Sequence, residues 1–118
     1  MKKAIIYSIT TAIIFLGCTK DNSNTLSDPI NPVGLVTYNN NVKTIVDNNC
    51  IRCHGNIPTN GAPFSLTTYA DVKSRIITIK DRISRPDGSN GIMPDGGPRL
   101  PQTTIDIIFK WQADGLIQ

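Results

Sequence analysis

The sequence predicts an all-α domain of three helices joined by long loops. Apolar residues recur at helical spacing in three segments, 38–49, 68–85 and 103–114. Between them lie two segments, 55–67 and 86–101, in which glycine and proline are too frequent for a regular element. We therefore expect the helices to form the core and the long loops to carry function.

The first 17 residues, MKKAIIYSITTAIIFLG, are predicted to be an export signal. Two lysines precede an apolar run that is too short to span a bilayer comfortably, and the segment ends in the small residue Gly17. The next residue is Cys18, and FLGC followed by TKDN resembles the lipobox of bacterial lipoproteins, although Phe15 stands where that family usually has leucine. The resemblance implies an acylated Cys18 as the first residue of the mature protein. Ordinary signal cleavage, which would leave Cys18 as a free thiol, is the alternative.

Residues 18–34 are predicted to form the lipidated cysteine and a flexible tether. The segment after Cys18 is rich in asparagine, serine, aspartate and proline, and it has too few apolar residues to offset the entropy of ordering it. We therefore expect residues 35–118 to be an exported, monomeric domain. Its lipid would hold it at the cell envelope, on the periplasmic side or at the outer membrane.

The charge of the chain gives no reason to expect a nucleic-acid partner. The formal net charge is +3, and the loss of Lys2 and Lys3 with the signal would leave ten basic residues against nine aspartates, a net charge of +1. Nucleic-acid binding usually needs a strongly basic face. The domain is also small enough that its core would need a staple or a large bound apolar group.

The first two helices have recognisable starts. Thr37 is a plausible N-cap for helix 38–49. Thr68 and Asp71 have the spacing of a capping box, and Pro86 would end that second helix. The β-branched run at residues 76–79 leaves a strand possible, but four apolar residues at helical spacing favour a helix: Val72, Ile76, Ile79 and Ile83.

The last helix is predicted to begin at a capping Thr103, with Asp106 three residues later. Gly115 is a natural residue for its C-terminal end. Four residues are expected to supply its broad apolar surface: Ile105, Ile108, Phe109 and Trp111.

The stretch CIRCH, residues 50–54, contains two of the three cysteines and the single histidine. Zinc would need four ligands, or three and a water, and adjacent Cys53 and His54 cannot easily both reach an ion held by Cys50. A thioredoxin-like redox pair would follow a strand, whereas this pair follows a predicted helix. A disulfide between Cys50 and Cys53 is allowed in an exported protein but would close a very short loop.

Covalent haem attachment is the interpretation that uses all three side chains. Two cysteines separated by two residues can form thioethers with both vinyl groups of one porphyrin, and His54 is then placed to ligate the iron. A haem would also supply the large apolar body that a thin core needs. The export signal agrees, because c-type haem is attached outside the cytoplasm.

Met93 is the candidate for the second axial ligand. The chain has no other histidine, and Met1 would be removed with the signal. Met93 lies in the segment GIMPDGGPRL, where prolines and glycines could hold an extended loop against the haem. The alternative is a methionine that fills a gap in the core.

Residues 36–117 resemble a small class I cytochrome c. Four segments carry the resemblance: YNNNVKTIVDNNCIRCHG, GAPFSLTTYADV, MPDGGPRLP and IDIIFKWQADG. The family implies an all-α fold in which the first and last helices cross near one covalent haem c, with Tyr38 as the usual aromatic of the first helix. Cytochromes of the c′ type are excluded because their CxxCH motif lies close to the C-terminus.

The resemblance implies a single-electron carrier and not an enzyme, with redox proteins of the cell envelope as partners. Axial ligation by His54 and Met93 leaves no open iron position for a substrate. The alternatives are a haem sensor or haem enzyme with a labile sixth ligand, and a haem module that serves one oxidoreductase. A basic cluster, Lys73 to Arg85, could bind haem propionates, face an acidic partner or form an ordinary solvated helix face.

Overall fold

A computed structural model describes residues 34–118, and its regular elements are all helical. The predictions for the signal, for Cys18 and for the tether up to residue 33 lie outside these residues. Within the described part there is no strand, so the prediction of an all-α domain is confirmed. The elements are a π-helical turn, Tyr38–Val42, and four α-helices: α1 (Lys43–Asn49), α2 (Tyr69–Ser74), α3 (Ile76–Ser84) and α4 (Gln102–Ala113).

The π-helical turn runs directly into α1, so a helix over 38–49 is confirmed. Thr37 caps it as expected, because its hydroxyl accepts a hydrogen bond from the backbone N–H of Asn40 at 3.3 Å. The first turn is wide: the N–H of Val42 reaches back five residues to the carbonyl of Thr37, at 3.3 Å. The side chain of Asn41 supports this wide turn, because its oxygen accepts a hydrogen bond from the backbone N–H of Thr37.

The predicted second helix begins where expected. Thr68 and Asp71 form a reciprocal capping box, in which each side chain accepts from the other residue's backbone N–H at 3.1 Å. Val72, Ile76 and Ile83 are buried and Ile79 is half-buried, so the apolar face was predicted correctly.

The prediction of one continuous second helix is wrong, because the chain breaks into α2 and α3 at Arg75. The backbone of Arg75 lies at φ −108° and ψ 7°, outside the helical region. The preceding Ser74 side chain donates to the carbonyl of Asp71 at 2.8 Å, in competition with the backbone ladder. The Arg75 guanidinium lies 4.7 Å from the centroid of the Phe64 ring, a contact with a distant loop.

The start of α4 also differs from the prediction. The helix begins at Gln102 after Pro101, without a side-chain cap, and Thr103 lies within the first turn. Pro101 supplies the boundary itself: its backbone is extended, and its carbonyl accepts the first helical hydrogen bonds, including that from Ile105 at 3.1 Å.

The end of α4 agrees with the prediction. Gly115 has φ +95°, and its N–H donates to the carbonyl of Gln112 at 3.1 Å. The next residue, Leu116, donates to the carbonyl of Trp111 at 2.9 Å. These two bonds form a Schellman motif, which glycine accommodates without steric cost.

Three aromatic rings join the first, second and last helices into one core. Trp111 is fully buried, and its ring centroid lies 5.9 Å from that of Tyr38 and 6.2 Å from that of Tyr69. The indole N–H donates to the carbonyl of Ile117 at 2.8 Å. Phe109, which was expected in the apolar surface with Ile105 and Ile108, is instead 40% exposed.

The two ends of the described chain are tied together beside this core. The backbone N–H of Val36 donates to the carboxylate of Asp114 at 2.6 Å, and Lys110 donates to the same carboxylate at 2.8 Å. These hydrogen bonds lower the pKa of Asp114, the one from Lys110 contributing most.

No helix between residues 34 and 118 is long and apolar enough to cross a membrane.

Candidate functional site

The CIRCH residues form a helical turn that continues directly from α1. The backbone N–H groups of Cys53 and His54 both donate to the carbonyl of Cys50, at 3.1 Å and 2.9 Å. Residues four apart share one side of such a turn. Cys50 and His54 therefore project from the same side of the polypeptide.

His54 is held in one orientation and one tautomer. The residue is only 7% exposed, and its ring Nδ1 lies 2.8 Å from the backbone carbonyl of Phe64. A carbonyl can only accept, so Nδ1 carries the proton of the neutral ring and the Nε2 lone pair is left for a metal. The backbone reinforces this position, because the N–H of Leu66 donates to the carbonyl of His54 at 2.8 Å.

Both cysteines of the turn are half-buried free thiols. Burial raises the pKa of the Cys50 thiol to about 11, so it is protonated at neutral pH. A reactive redox pair instead needs a lowered thiol pKa. Cys53 accepts a hydrogen bond at its Sγ from the side-chain amide of Asn60, at 3.4 Å. The raised pKa of Cys50 gives the thioredoxin-like alternative no support, and the two thiols are not joined in a disulfide.

A conventional metal cluster is not formed in the part of the chain that the structure describes. Among residues 34–118, no group of three or more histidine, cysteine or acidic side chains is placed to hold an ion. Cys50, Cys53 and His54 share one turn but do not converge on one point as zinc ligands would.

Met93 lies in the loop between α3 and α4, apart from the CIRCH turn in sequence. Its side chain is half-buried and packs against the apolar core, against which Cys50 also packs. Its backbone N–H donates to the carbonyl of Arg82 in α3, at 3.1 Å. An axial ligand and a core-filling methionine would both pack in this way, so the ferric spectrum of a Met93→Ala variant separates the two hypotheses.

Phe64 and Asn60 are site residues that the sequence did not single out. Phe64 orients His54 through its carbonyl, and its ring lies 4.9 Å from the imidazole, between centroids. Asn60 has a left-handed backbone, with φ +51°, which places its amide on Cys53. An aromatic residue in a loop rich in glycine and proline was the available signal for Phe64. Asn60 followed by a glycine was a turn signal, but it gave no indication of a sulfur partner.

The basic residues of the Lys73–Arg85 cluster are engaged within the molecule. Lys73 donates to the hydroxyl of Tyr69 at 3.0 Å, and the Lys80 ammonium lies 4.0 Å from the centroid of the Phe109 ring. Arg82 and Arg85 donate to backbone carbonyls of the Met93 loop. The basic side chains of the cluster therefore have defined contacts within the molecule, and Lys73 and Arg75 are at the same time exposed to solvent.

Comparisons with protein-family models, curated proteins and solved structures give no match. The chemistry of the site is therefore argued from this chain's own residues. These are two free thiols in one turn, an adjacent imidazole with Nε2 left for a metal, and a thioether in the loop between α3 and α4.

Proposed function

We propose that this chain is a monohaem class I cytochrome c that carries single electrons between redox proteins of the cell envelope. The observation that carries the proposal is the state of His54: it is buried, directly follows a pair of free thiols, and is hydrogen-bonded through Nδ1 so that Nε2 can ligate iron. This donor set fits covalent haem c. Cys50 and Cys53 would form the thioethers, and His54 and Met93 would be the axial ligands.

The residues around His54 prepare it for this role. The hydrogen bond to the Phe64 carbonyl fixes the plane of the imidazole and makes Nε2 a better donor, as second-shell partners of metal-bound histidines usually do. Cys50 and Cys53 are free thiols, and a free thiol can add to a vinyl group, with its sulfur and its hydrogen going to the two vinyl carbons. The proposal therefore requires no disulfide to be reduced in the folded domain.

Electron transfer is the activity that this ligand set favours. When bound, haem supplies a one-electron iron couple, and a methionine ligand raises its potential relative to two imidazoles. If His54 and Met93 both held the iron, no coordination position would remain for a substrate. A sensor or enzyme would instead require Met93 to be labile or absent from the iron.

The replacement Met93→Ala tests this choice of ligand. The wild-type ferric protein is expected to show the weak far-red charge-transfer band of a thioether on haem iron. The variant should lose the band completely and keep its covalent haem, because Cys50 and Cys53 are unchanged. Absorption spectra of the ferric protein and intact mass provide the measurements. Asp95→Ala, an exposed position in the same loop, is the control and should keep the band.

A wild-type spectrum without the far-red band would favour the alternative functions, a haem sensor or a haem enzyme. High-spin bands in the wild-type ferric protein would contradict the electron-carrier proposal and favour a sensor or enzyme with an open sixth position. A far-red band that persists in Met93→Ala would show that Met93 fills the core and does not ligate iron.

Attachment to the envelope is proposed to occur through a lipid on Cys18. The replacement Cys18→Ser is expected to move the protein from the membrane fraction to the aqueous fraction, because acyl chains supply most of the membrane affinity of such an anchor. Fractionation followed by haem staining measures this shift. Retention of the variant in membranes would refute the lipoprotein assignment and leave the haem proposal intact.

A further inference from the structure

The loop that carries Met93 is held against the last turns of α3 by three hydrogen bonds. Arg82 donates from Nη1 to the carbonyl of Gly91 at 3.1 Å, and Arg85 donates from Nη1 to the carbonyl of Asn90 at 2.7 Å. The backbone carbonyl of Arg82 accepts from the N–H of Met93 at 3.1 Å. Arg82 thus contacts the loop through both its side chain and its backbone.

The two guanidinium groups extend beyond their own helix. Arginines near a helix C-terminus commonly interact with the last carbonyls of that helix. Here the acceptors belong to the loop, one and two residues before the buried Ile92. Asp81 orients the Arg85 guanidinium through Nη2, at 2.7 Å. These are charge-assisted hydrogen bonds, which are stronger than those between neutral groups.

Gly91 provides the space that this contact requires. A Cβ at position 91 would lie 2.0 Å from Nη1 of Arg82 and 2.9 Å from Nη1 of Arg85. The residue also has φ +72°, which glycine adopts without strain. Gly88 has nearly the same φ, +74°, but a Cβ there would meet nothing within 4 Å. The two glycines therefore separate the effect of backbone conformation from that of the arginine contact.

We propose that Arg82 and Arg85 are positioning residues that hold the 90–93 loop where the Met93 sulfur can ligate iron. This inference rests on the proposed function, because it presumes that Met93 is an axial ligand. The arginines do not touch the iron; they act through the loop backbone. Release of the loop would lower the fraction of molecules with sulfur on iron, so an added ligand would compete more effectively for that position.

The test measures the ferric far-red band and the affinity of the ferric holoprotein for added imidazole. Arg82→Ala is expected to weaken the band and to tighten imidazole binding about tenfold, the effect of one charge-assisted hydrogen bond. Arg82→Lys, which keeps a charged donor, should stay within about threefold of the wild type. Gly91→Ala should act in the same direction as Arg82→Ala, because its Cβ displaces the guanidinium.

Two matched controls accompany these variants. Arg99→Ala removes a guanidinium from the other end of the loop, where its Nη2 donates to the side chain of Gln102, and it should leave both readouts unchanged. Gly88→Ala introduces the same backbone strain as Gly91→Ala without the clash, and should change imidazole affinity less.

The outcomes distinguish the inference from the function on which it rests. A wild-type protein without the far-red band would refute ligation by Met93, and with it the proposed function and this inference. The positioning role is refuted if the wild-type protein shows the band while Arg82→Ala has the same band intensity and imidazole affinity as Arg99→Ala, and Gly91→Ala the same as Gly88→Ala. That result would leave the electron-carrier proposal standing. If Arg82→Ala yields no holoprotein, the comparison between the two glycine variants decides.

Discussion

The double variant Cys50→Ser/Cys53→Ser is expected to contain no covalently bound haem. A serine hydroxyl does not form a thioether, so neither attachment bond could be made, whatever happens to His54 and Met93. Intact mass measured after denaturation, together with haem staining on a denaturing gel, would show the complete loss. We expect this to be the largest functional effect of any substitution in the chain, because it removes the proposed cofactor.

Cys18→Ser is the matched control for this experiment. It removes the one cysteine of the chain that lies outside the CIRCH stretch, and it should leave the haem mass unchanged. Haem that stays bound through denaturation in the double variant would contradict thioether attachment at residues 50 and 53. Loss of haem in Cys18→Ser would show that export or lipidation controls the amount of haem. The double variant would then have to be compared with a wild-type protein exported at the same level.

The replacement Trp111→Ala is expected to lower the free energy of unfolding by about 3–5 kcal/mol. Trp111 is fully buried between Tyr38 and Tyr69, and its indole N–H donates to the carbonyl of Ile117. The loss leaves a cavity between three helices and a carbonyl without its side-chain donor. Since small domains have total stabilities of about 5–15 kcal/mol, much of the stability of this domain would be lost.

Phe109→Ala provides the comparison for Trp111→Ala. Phe109 lies on the same helix but is 40% exposed, and its ring contacts the Lys80 ammonium. Its loss should cost about 1 kcal/mol or less, as for other cation–π contacts at exposed sites. Denaturant unfolding of the purified holoprotein measures both variants. Equal costs for the two substitutions would mean that the aromatic core is not where most of the stability lies.

Predictions based on interactions between near neighbours in sequence were mostly correct. The Thr37 cap, the Thr68–Asp71 capping box and the Gly115 end depend on residues three to five apart, which the sequence displays directly. The same local logic failed for Thr103, because the neighbouring Pro101 already provided a helix boundary. Phe109 was misplaced because periodicity defines a face of a helix, whereas neighbouring elements decide how much of it is covered.

The sequence by itself determined the proposed haem attachment and its proximal ligand, since the spacing of Cys50, Cys53 and His54 is local, and it offered Met93 as the candidate for the second ligand. Only the tertiary structure decided what holds that chemistry in place. The carbonyl on His54 comes from Phe64, ten residues away, and the arginines on the Met93 loop come from α3 and from the residue that follows it. Such partners are chosen by the packing of loops on helices. That packing depends on many weak contacts far apart in the chain, and no short sequence pattern encodes it.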